Sequence, residues 1–500
     1  MSFFTGLNES LYISSLISWN YLCHLCGRER YKCIVSIVSK LTTHNPFYAK
    51  YIQGVASQNS FFTIQESNYI NNFTDNYNID SDDIYNISEK IAILNQKIPD
   101  PIILQDINPI KSGIIGTVYY GKIKDKDIVI KMKRPNIKER LEAGIMKLKA
   151  TLKTLTTLNI LSIIDLANSI EEVKTILLDQ TDFDREIKNM DKFKKAYKYN
   201  KYIVIPDSYP DITEKDNDII VMSRIRGLNI SELSDIDKTQ FIDIITELSF
   251  TSIFINNFWH GDLHRGNIFF IKEIDDKDET DETEETEETE ETEKTDETDD
   301  TEETDDKDNT DKEPNDLDLS VIDLEDDSDH ESMSESEDSE VIDVPKYRLG
   351  LIDFGIVYNL CEEEVNIIDL FFQLTLDDDN TKNFKLRDNV FTSFFIPKDN
   401  YINLHETKKY KLWILFTNIC KDSIESGGYE FIKDFKKYMN LPDVIESKLQ
   451  ISPHFANIQW TLSAQFGIMS DLTTDTYNPH KSFSKKMRSM IQEVKTLTEI

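Results

Sequence analysis

His260-Gly261-Asp262-Leu263-His264-Arg265-Gly266-Asn267 runs directly into the apolar stretch Ile268-Phe269-Phe270-Ile271. An Asp followed five positions later by an Asn, in a polar loop leading into a strand, suits phosphoryl transfer. The Asp262 carboxylate can meet the hydroxyl or water that attacks a γ-phosphate. The Asn267 amide oxygen can meet a magnesium ion held on the phosphates. Asp and Asn are also ordinary loop residues, so the pattern needs company elsewhere in the chain.

Three other stretches supply it. In Lys111-Ser112-Gly113-Ile114-Ile115-Gly116-Thr117-Val118, Gly113 and Gly116 would let backbone amides approach phosphate oxygens. An ordinary hairpin has the same make-up. Asp127-Ile128-Val129-Ile130-Lys131 reads as a strand with a Lys inside a β-branched run. A buried ammonium needs a partner, whereas an edge-strand Lys facing water does not. Glu186, within Asp182-Phe183-Asp184-Arg185-Glu186-Ile187-Lys188-Asn189, is the best-placed partner, although it is also one of many helix acids. Asp353, at the end of the strand Leu349-Gly350-Leu351-Ile352 and followed by Phe354-Gly355, is the second expected magnesium ligand.

These residues need particular elements to position them. Lys131 must stand on a strand and Glu186 on a helix beside it, with a helical insertion from Leu141 to Gln180 between the two. Ile219-Ile220-Val221-Met222 reads as a buried strand. Ser223 to Gly227 then reads as a hinge whose backbone would meet an adenine ring. Phe241 to Trp259 reads as a core helix leading into the catalytic loop. Ile268–Ile271 and Leu349–Ile352 would be neighbouring strands. Upstream, residues 11–41 predict two packed helices, with a membrane-surface helix as the alternative, and Ile87 to Gln96 predicts another. From Glu362 onward the pattern is helical, including Val365–Leu374, Lys409–Cys420 and Phe455–Leu472.

Composition limits the rest. The chain has 500 residues and a formal net charge of −36, enough length for two or three domains. The charge is local: 38 of the 92 acidic and four of the 56 basic residues fall between Glu273 and Asp343, which leaves the remainder at −2. The segment 273–344, with its Glu-Glu-Thr units, cannot bury enough apolar surface to offset its ordering entropy and is expected to be a disordered loop. Nothing in the charge favours a nucleic-acid partner. Five cysteines, odd in number, fit a reducing compartment and no disulfide framework. Cys23, His24, Cys26 and Cys33 have no second ligand pair at finger spacing, so zinc is not expected there. No secretory signal and no apolar run long enough to span a membrane is found.

Taken together, the residues resemble the UbiB or aarF-domain (ADCK) atypical kinases. Ile128-Val129-Ile130-Lys131-Met132-Lys133-Arg134-Pro135 is similar to that family's Val-Ala-Val-Lys-Val-Gln-Arg-Pro, and Asp182 to Asn189 to its Asp-Phe-x-x-Glu-Ala-x-Asn. His260 to Asn267 is similar to its His-x-Asp-x-His-x-Gly-Asn, with Arg265 where Pro is usual, and Leu351 to Gly355 to its strand with Asp-Phe-Gly. The family's Lys-x-Gly-Gln signature stands here as Lys50-Tyr51-Ile52-Gln53 and its Glu-x-Asp as Gln180-Thr181-Asp182. Its Ala-rich phosphate loop is replaced by Lys111-Ser112-Gly113, and no Ala-Pro-Glu follows Gly355.

The resemblance implies an α+β, bilobal protein-kinase-like fold with a helical N-terminal extension and a long disordered acidic insert. The expected division is 1–104 for the extension, 105–227 for the N-lobe, 228–272 with 345–500 for the C-lobe, and 273–344 for the insert. The expected ligands are ATP and Mg2+. Lys131, Glu186 and Asp262 would be catalytic, and Asn267 and Asp353 would hold the metal. Gly113, Gly116, Val118, Lys131, Met222, Ser223 and Ile225 would hold the nucleotide. A nucleotide-binding pseudokinase that acts as a scaffold is the alternative. The expected setting is cytoplasmic, with a protein or a lipid- or quinone-related partner and peripheral membrane contact through the extension.

Overall fold

The computed structural model describes residues 3–49, 51–52, 63, 65–66, 69–70, 84–157, 174, 177–273, 345–374, 383–425, 435, 437–474 and 476–498. The acidic segment beyond Glu273, Lys50 and Gln53, and most of the helical insertion past Thr157 lie outside them, so the expectations placed on those residues do too.

Two helices open the chain, α1 (Phe3–Leu25) and α2 (Arg30–His44), and α3 (Ile87–Asn95) follows. Asn86 caps α3 by accepting from the Glu89 amide. An antiparallel sheet comes next, built from β1 (Ile102–Leu104), β2 (Lys111–Ser112), β3 (Gly116–Ile123), β4 (Lys126–Lys133) and β6 (Ile219–Ser223). Its order is β1-β3-β4-β6, with β2 folded back on β3. Period-two alternation in β4 buries Ile128, Ile130 and Met132 on one face, against Ile87, Ile91, Leu94, Tyr119 and Val221. Val129, Lys131 and Lys133 take the other face. The sheet's body thus starts before residue 105, because α3 packs on it and β1 belongs to it.

Between β4 and β6 the described elements include α4 (Ile137–Thr157), α5 (Phe183–Ala196), β5 (Ile203–Val204) and the short α6 (Pro210–Thr213). Asp182 caps α5 by accepting from the Arg185 amide, and Asp184 and Glu186 occupy its first turn, where the helix dipole favours acids. The extension packs on α4: α1 lies along it, Asn45 donates to the Arg140 carbonyl at 3.1 Å, and Phe47 is fully buried.

After the hinge come α7 (Asp235–Phe250), β7 (Phe258–His260), β8 (Ile268–Lys272), β9 (Tyr347–Leu351) and β10 (Val357–Asn359). The core helix expected to reach Trp259 ends at Phe250, continues as a π-helical turn over Thr251–Ile255, and gives way to β7. Asn257, with a left-handed φ of 53°, lies just before that strand. β8 and β9 are antiparallel neighbours, with Lys272 opposite Tyr347. α8 (Glu362–Leu374), α9 (Phe384–Phe394), β11 (Phe395–Ile396), α10 (Lys398–Ile402), α11 (Glu406–Glu425), α12 (Pro442–Ser447), β12 (Gln450–Ile451), α13 (Pro453–Asp471) and α14 (Pro479–Thr498) complete the described elements. One apolar cluster runs from Phe183 and Ile187 of α5 through Phe241, Trp259, Phe354 and Phe391 to Met487 of α14.

Candidate active site

Lys131 is where the site begins. The Lys131 Nζ donates to both Glu186 oxygens, at 2.8 and 2.9 Å, and to Asp353 Oδ1 at 3.0 Å. Strand β4, helix α5 and the end of β9 each bring one charge. Glu186 is fully buried and the Lys131 side chain largely so, whereas Asp353 is 37% exposed. Burial alone would lower the Lys131 pKa, but the carboxylates of Asp353 and Glu186 outweigh it and hold the ammonium above its ordinary range. Burial pushes Glu186 up to about 7; Lys131 pulls it down and Asp353 adds to the rise. Lys131 thus stands between two carboxylates brought by different elements.

Asp353 sits at φ 61°, the left-handed region, which a non-glycine residue occupies at a cost of about 1–3 kcal/mol. Neighbouring contacts hold it there. Phe354 is fully buried against Phe193 at 5.0 Å and His260 at 5.2 Å, and its carbonyl accepts from Asn189 Nδ2 at 2.9 Å. Asn189 lies one turn below Glu186 on α5, so a single helix fixes both the lysine's partner and the aspartate's backbone.

The loop from His260 to Asn267 is tied just as closely. His260 is buried; its Nε2 donates to the Ile352 carbonyl at 3.0 Å and its Nδ1 accepts from the Asp262 amide at 3.3 Å. Burial keeps its pKa low, so the ring is neutral. Asn267 Nδ2 donates to the Asp262 carbonyl at 2.9 Å, which turns the amide oxygen to the free end. The Ile352 amide donates to the Asn267 carbonyl at 3.1 Å, so the residue before Asp353 is bonded to the other proposed metal ligand. Asp262 keeps a partly exposed carboxylate, 3.7 Å from His264 Nε2.

The two loop glycines have different grounds. At Gly116 a Cβ would stand 2.4 Å from the Met132 carbonyl oxygen, so the strand pairing itself excludes a side chain. At Gly113 a Cβ would meet only the Gly116 oxygen at 3.6 Å; the room beside it is open to a ligand. Val118 lies on β3 opposite Lys131, and Met222 on β6 opposite Val129. Ser223 ties the hinge to the preceding loop: its amide donates to the Asp207 carbonyl at 2.8 Å and its Oγ accepts from the Asp207 amide at 2.8 Å. Its own N–H is therefore committed. Ile225 packs over Gly350, which has no room for a Cβ beneath it.

Three residues with a part in the site had been given no role from the sequence. Arg134 is fully buried, and its guanidinium donates to the Gly113 carbonyl at 2.9 Å and to Ser112 Oγ at 2.7 Å, holding the phosphate loop from behind. Asn189 ties α5 to Phe354. Lys111, at the position of a missing first glycine, reaches the catalytic loop: its Nζ lies 3.6 Å from where a Gly266 Cβ would be. Arg134 and Asn189 both fall inside motifs read from the sequence, but a buried polar side chain looks like an exposed one there.

The donors fit magnesium and a polyphosphate. Hard oxygen ligands from Asp353 and Asn267 suit magnesium. The buried Gln180 Oε1, on a side chain lying against Gly355, has no hydrogen-bond partner and leaves an acceptor in the cleft unmet.

Residues 84–279 match the model of the ABC1 atypical kinase-like domain. The match takes in Lys131, Glu186, Asp262 and Asn267. A protein named probable protein kinase UbiB from Aliivibrio salmonicida is 29% identical over 173 residues, covering 33% of this chain and 31% of that one. Its namesake from Pseudomonas fluorescens is 29% identical over 188 residues, covering 36% and 34%. An uncharacterized protein in the hydrogenase 1 5' region of Clostridium pasteurianum is 30% identical over 182 residues, covering 35% and 34%. The chain spans about a third of the length of these curated relatives. A solved complex of Rv3197 with erythromycin from Mycobacterium tuberculosis covers 76% of both chains at 14% identity, with a TM-score of 0.40, a likeness too loose to argue from.

Proposed function

We propose that this chain, which belongs to the UbiB-like family of atypical kinase-like proteins, binds magnesium-ATP between a sheet lobe and a helical lobe and transfers or hydrolyses the γ-phosphate. The observation that carries this reading is the convergence of Lys131, Glu186 and Asp353 within 3.0 Å. Asp353 would hold the magnesium ion and Lys131 would meet phosphate oxygens, while Glu186 keeps the ammonium aimed. Asn267 offers its amide oxygen, oriented by the Asp262 carbonyl. Bound magnesium neutralises charge on the phosphates. Asp262 positions the attacking oxygen and accepts its proton, and the bonds to His260 and Asn267 hold its backbone still. Gly113 gives the phosphates room, Gly116 keeps β3 close to β4, and Val118, Met222 and Ile225 form the adenine side.

Two of the three relatives' printed names say probable protein kinase; the acceptor for this chain is a separate proposal. Leu11, Trp19, Leu22 and Leu25 leave an exposed apolar side on α1, which supports peripheral contact with a lipid surface and a lipid- or quinone-related role. Among the described residues no helix is long and apolar enough to cross a membrane.

Turnover of labelled ATP by purified protein tests the reading, with and without liposomes and following both free phosphate and labelled protein. Magnesium-dependent turnover is expected. Binding without turnover would favour the scaffold, and no magnesium-dependent binding would overturn both.

A further inference from the structure

Outside the cleft, three side chains of different chemistry meet. Cys361 lies just before α8, Glu364 in its first turn, and His454 in the first turn of α13. Cys361 Sγ is 3.6 Å from His454 Nδ1, and His454 Nδ1 is 3.6 Å from Glu364 Oε1. All three donor atoms lie within 4.8 Å of one another. We propose that Cys361, Glu364 and His454 bind one zinc-class divalent cation, which fastens the segment following Asp353-Phe354-Gly355 to helix α13.

Two of the three donor separations come close to the edges of a shell around a small ion. With metal–sulfur near 2.3 Å and metal–nitrogen near 2.0–2.1 Å, a tetrahedral site has a sulfur–nitrogen edge of about 3.6 Å and a nitrogen–oxygen edge of about 3.3 Å. The first equals the distance found, and the second needs a shift of a few tenths of an ångström. A thiolate, an imidazole and a carboxylate select zinc over magnesium or calcium. The carboxylate is held from both sides: the Cys361 amide donates to Oε2 at 3.1 Å and Asn457 Nδ2 to Oε1 at 3.1 Å. Helix capping explains the bond from the Cys361 amide to Glu364. It does not explain why an imidazole from a residue 93 positions away lies against both the thiol and the carboxylate.

Glu362, Glu363 and Glu364 offset the positive end of α8 at this point. Binding would displace the thiol proton of Cys361 to solvent. Cys361 and His454 are partly exposed, which leaves an entry path and a fourth position for water. The ion would hold the end of β10, whose Val357 pairs with His260, and the Leu360 amide already donates to Asn257 at 2.9 Å.

The inference does not rest on ATP binding and is tested without nucleotide. Cobalt(II) is titrated into the full-length protein as a spectroscopic probe. One equivalent is expected to produce a near-ultraviolet thiolate-to-cobalt charge-transfer band, which zinc then abolishes by displacement. Carboxylates of the acidic segment that bind cobalt adventitiously give no such band. Cys361→Ser should lose the band, His454→Gln should weaken cobalt at least tenfold, and a Cys23→Ser, Cys26→Ser, Cys33→Ser triple variant should keep it, with folding checked by circular dichroism. If Cys361→Ser does not fold, His454→Gln decides. A wild-type protein without the band, a band that survives Cys361→Ser, or unchanged affinity in His454→Gln overturns the proposal.

Discussion

Asp262 and Asp353 are both acidic residues of the cleft, yet their surroundings divide their roles. Asp262 has its backbone bonded on both sides and a partly exposed carboxylate beside His264, which suits handling a substrate proton. Asp262→Asn is expected to lower turnover about 10²–10⁴-fold with nucleotide affinity largely kept; a loss under about threefold, measured with labelled ATP, rules out the role. Asp353→Asn should instead weaken magnesium-nucleotide binding itself, as removal of a charged ligand does. Lys111 occupies the place of a glycine and brings a cation to the catalytic loop. Lys111→Ala should raise the KM for ATP several-fold with a smaller change in kcat, and an unchanged KM would show that the ammonium does not meet phosphate. Glu186 gives a pH signature. Its folded pKa, about 7, lies above the ordinary carboxylate value of about 4.3. The folded protein therefore binds more protons than the unfolded chain between those values. Stability from this group is full below about pH 4.3 and lost as pH rises through about 7. The Tm difference between wild type and the non-titrating Glu186→Gln should move in the variant's favour from about pH 5 to pH 8, and a constant difference would refute the shift.

At the scale of elements, α5 does two jobs and the phosphate loop is held from two directions. Arg134 bonds the loop from inside the sheet. Ile114 packs against Ala49, and Ile115 joins Phe47, Tyr48 and Leu141 in the cluster under the extension. Arg134→Met removes the bonds to Gly113 and Ser112 and leaves part-buried acceptors unmet, at about 1 kcal/mol or more. Thermal unfolding should show a Tm lower by several degrees, together with weaker nucleotide binding. Wild-type values for both would mean that the guanidinium does not support the loop.

At the scale of the molecule, the acidic segment leaves at Lys272 and returns at Tyr347, which are paired across β8 and β9. Closing a loop of roughly seventy residues in place of about four costs about 2–3 kcal/mol more. Replacing residues 273–344 by an Asn-Gly turn should therefore leave the Tm unchanged or raise it, with ATP binding intact. A folded variant that no longer binds ATP would make the segment part of the site, and an unfolded one would refute the prediction.

The sequence by itself determined the family resemblance and much of the element order. A β-branched run put Lys131 on a strand, and the segment around Glu186 read as a helix beside it. Local pattern carries these because backbone periodicity and capping act over a few residues. Other features depend on atoms far apart in the chain, which no local pattern records. Arg134 is buried because Gly113 and Ser112 accept from it, Asn189 matters because the Phe354 carbonyl lies above it, and the core helix stops at Phe250 because β7 must pair with β10. Cys361 and His454 showed no signal in the sequence at all. Only the packing of α8 against α13 brings a thiol and an imidazole to the separation that a metal ion needs.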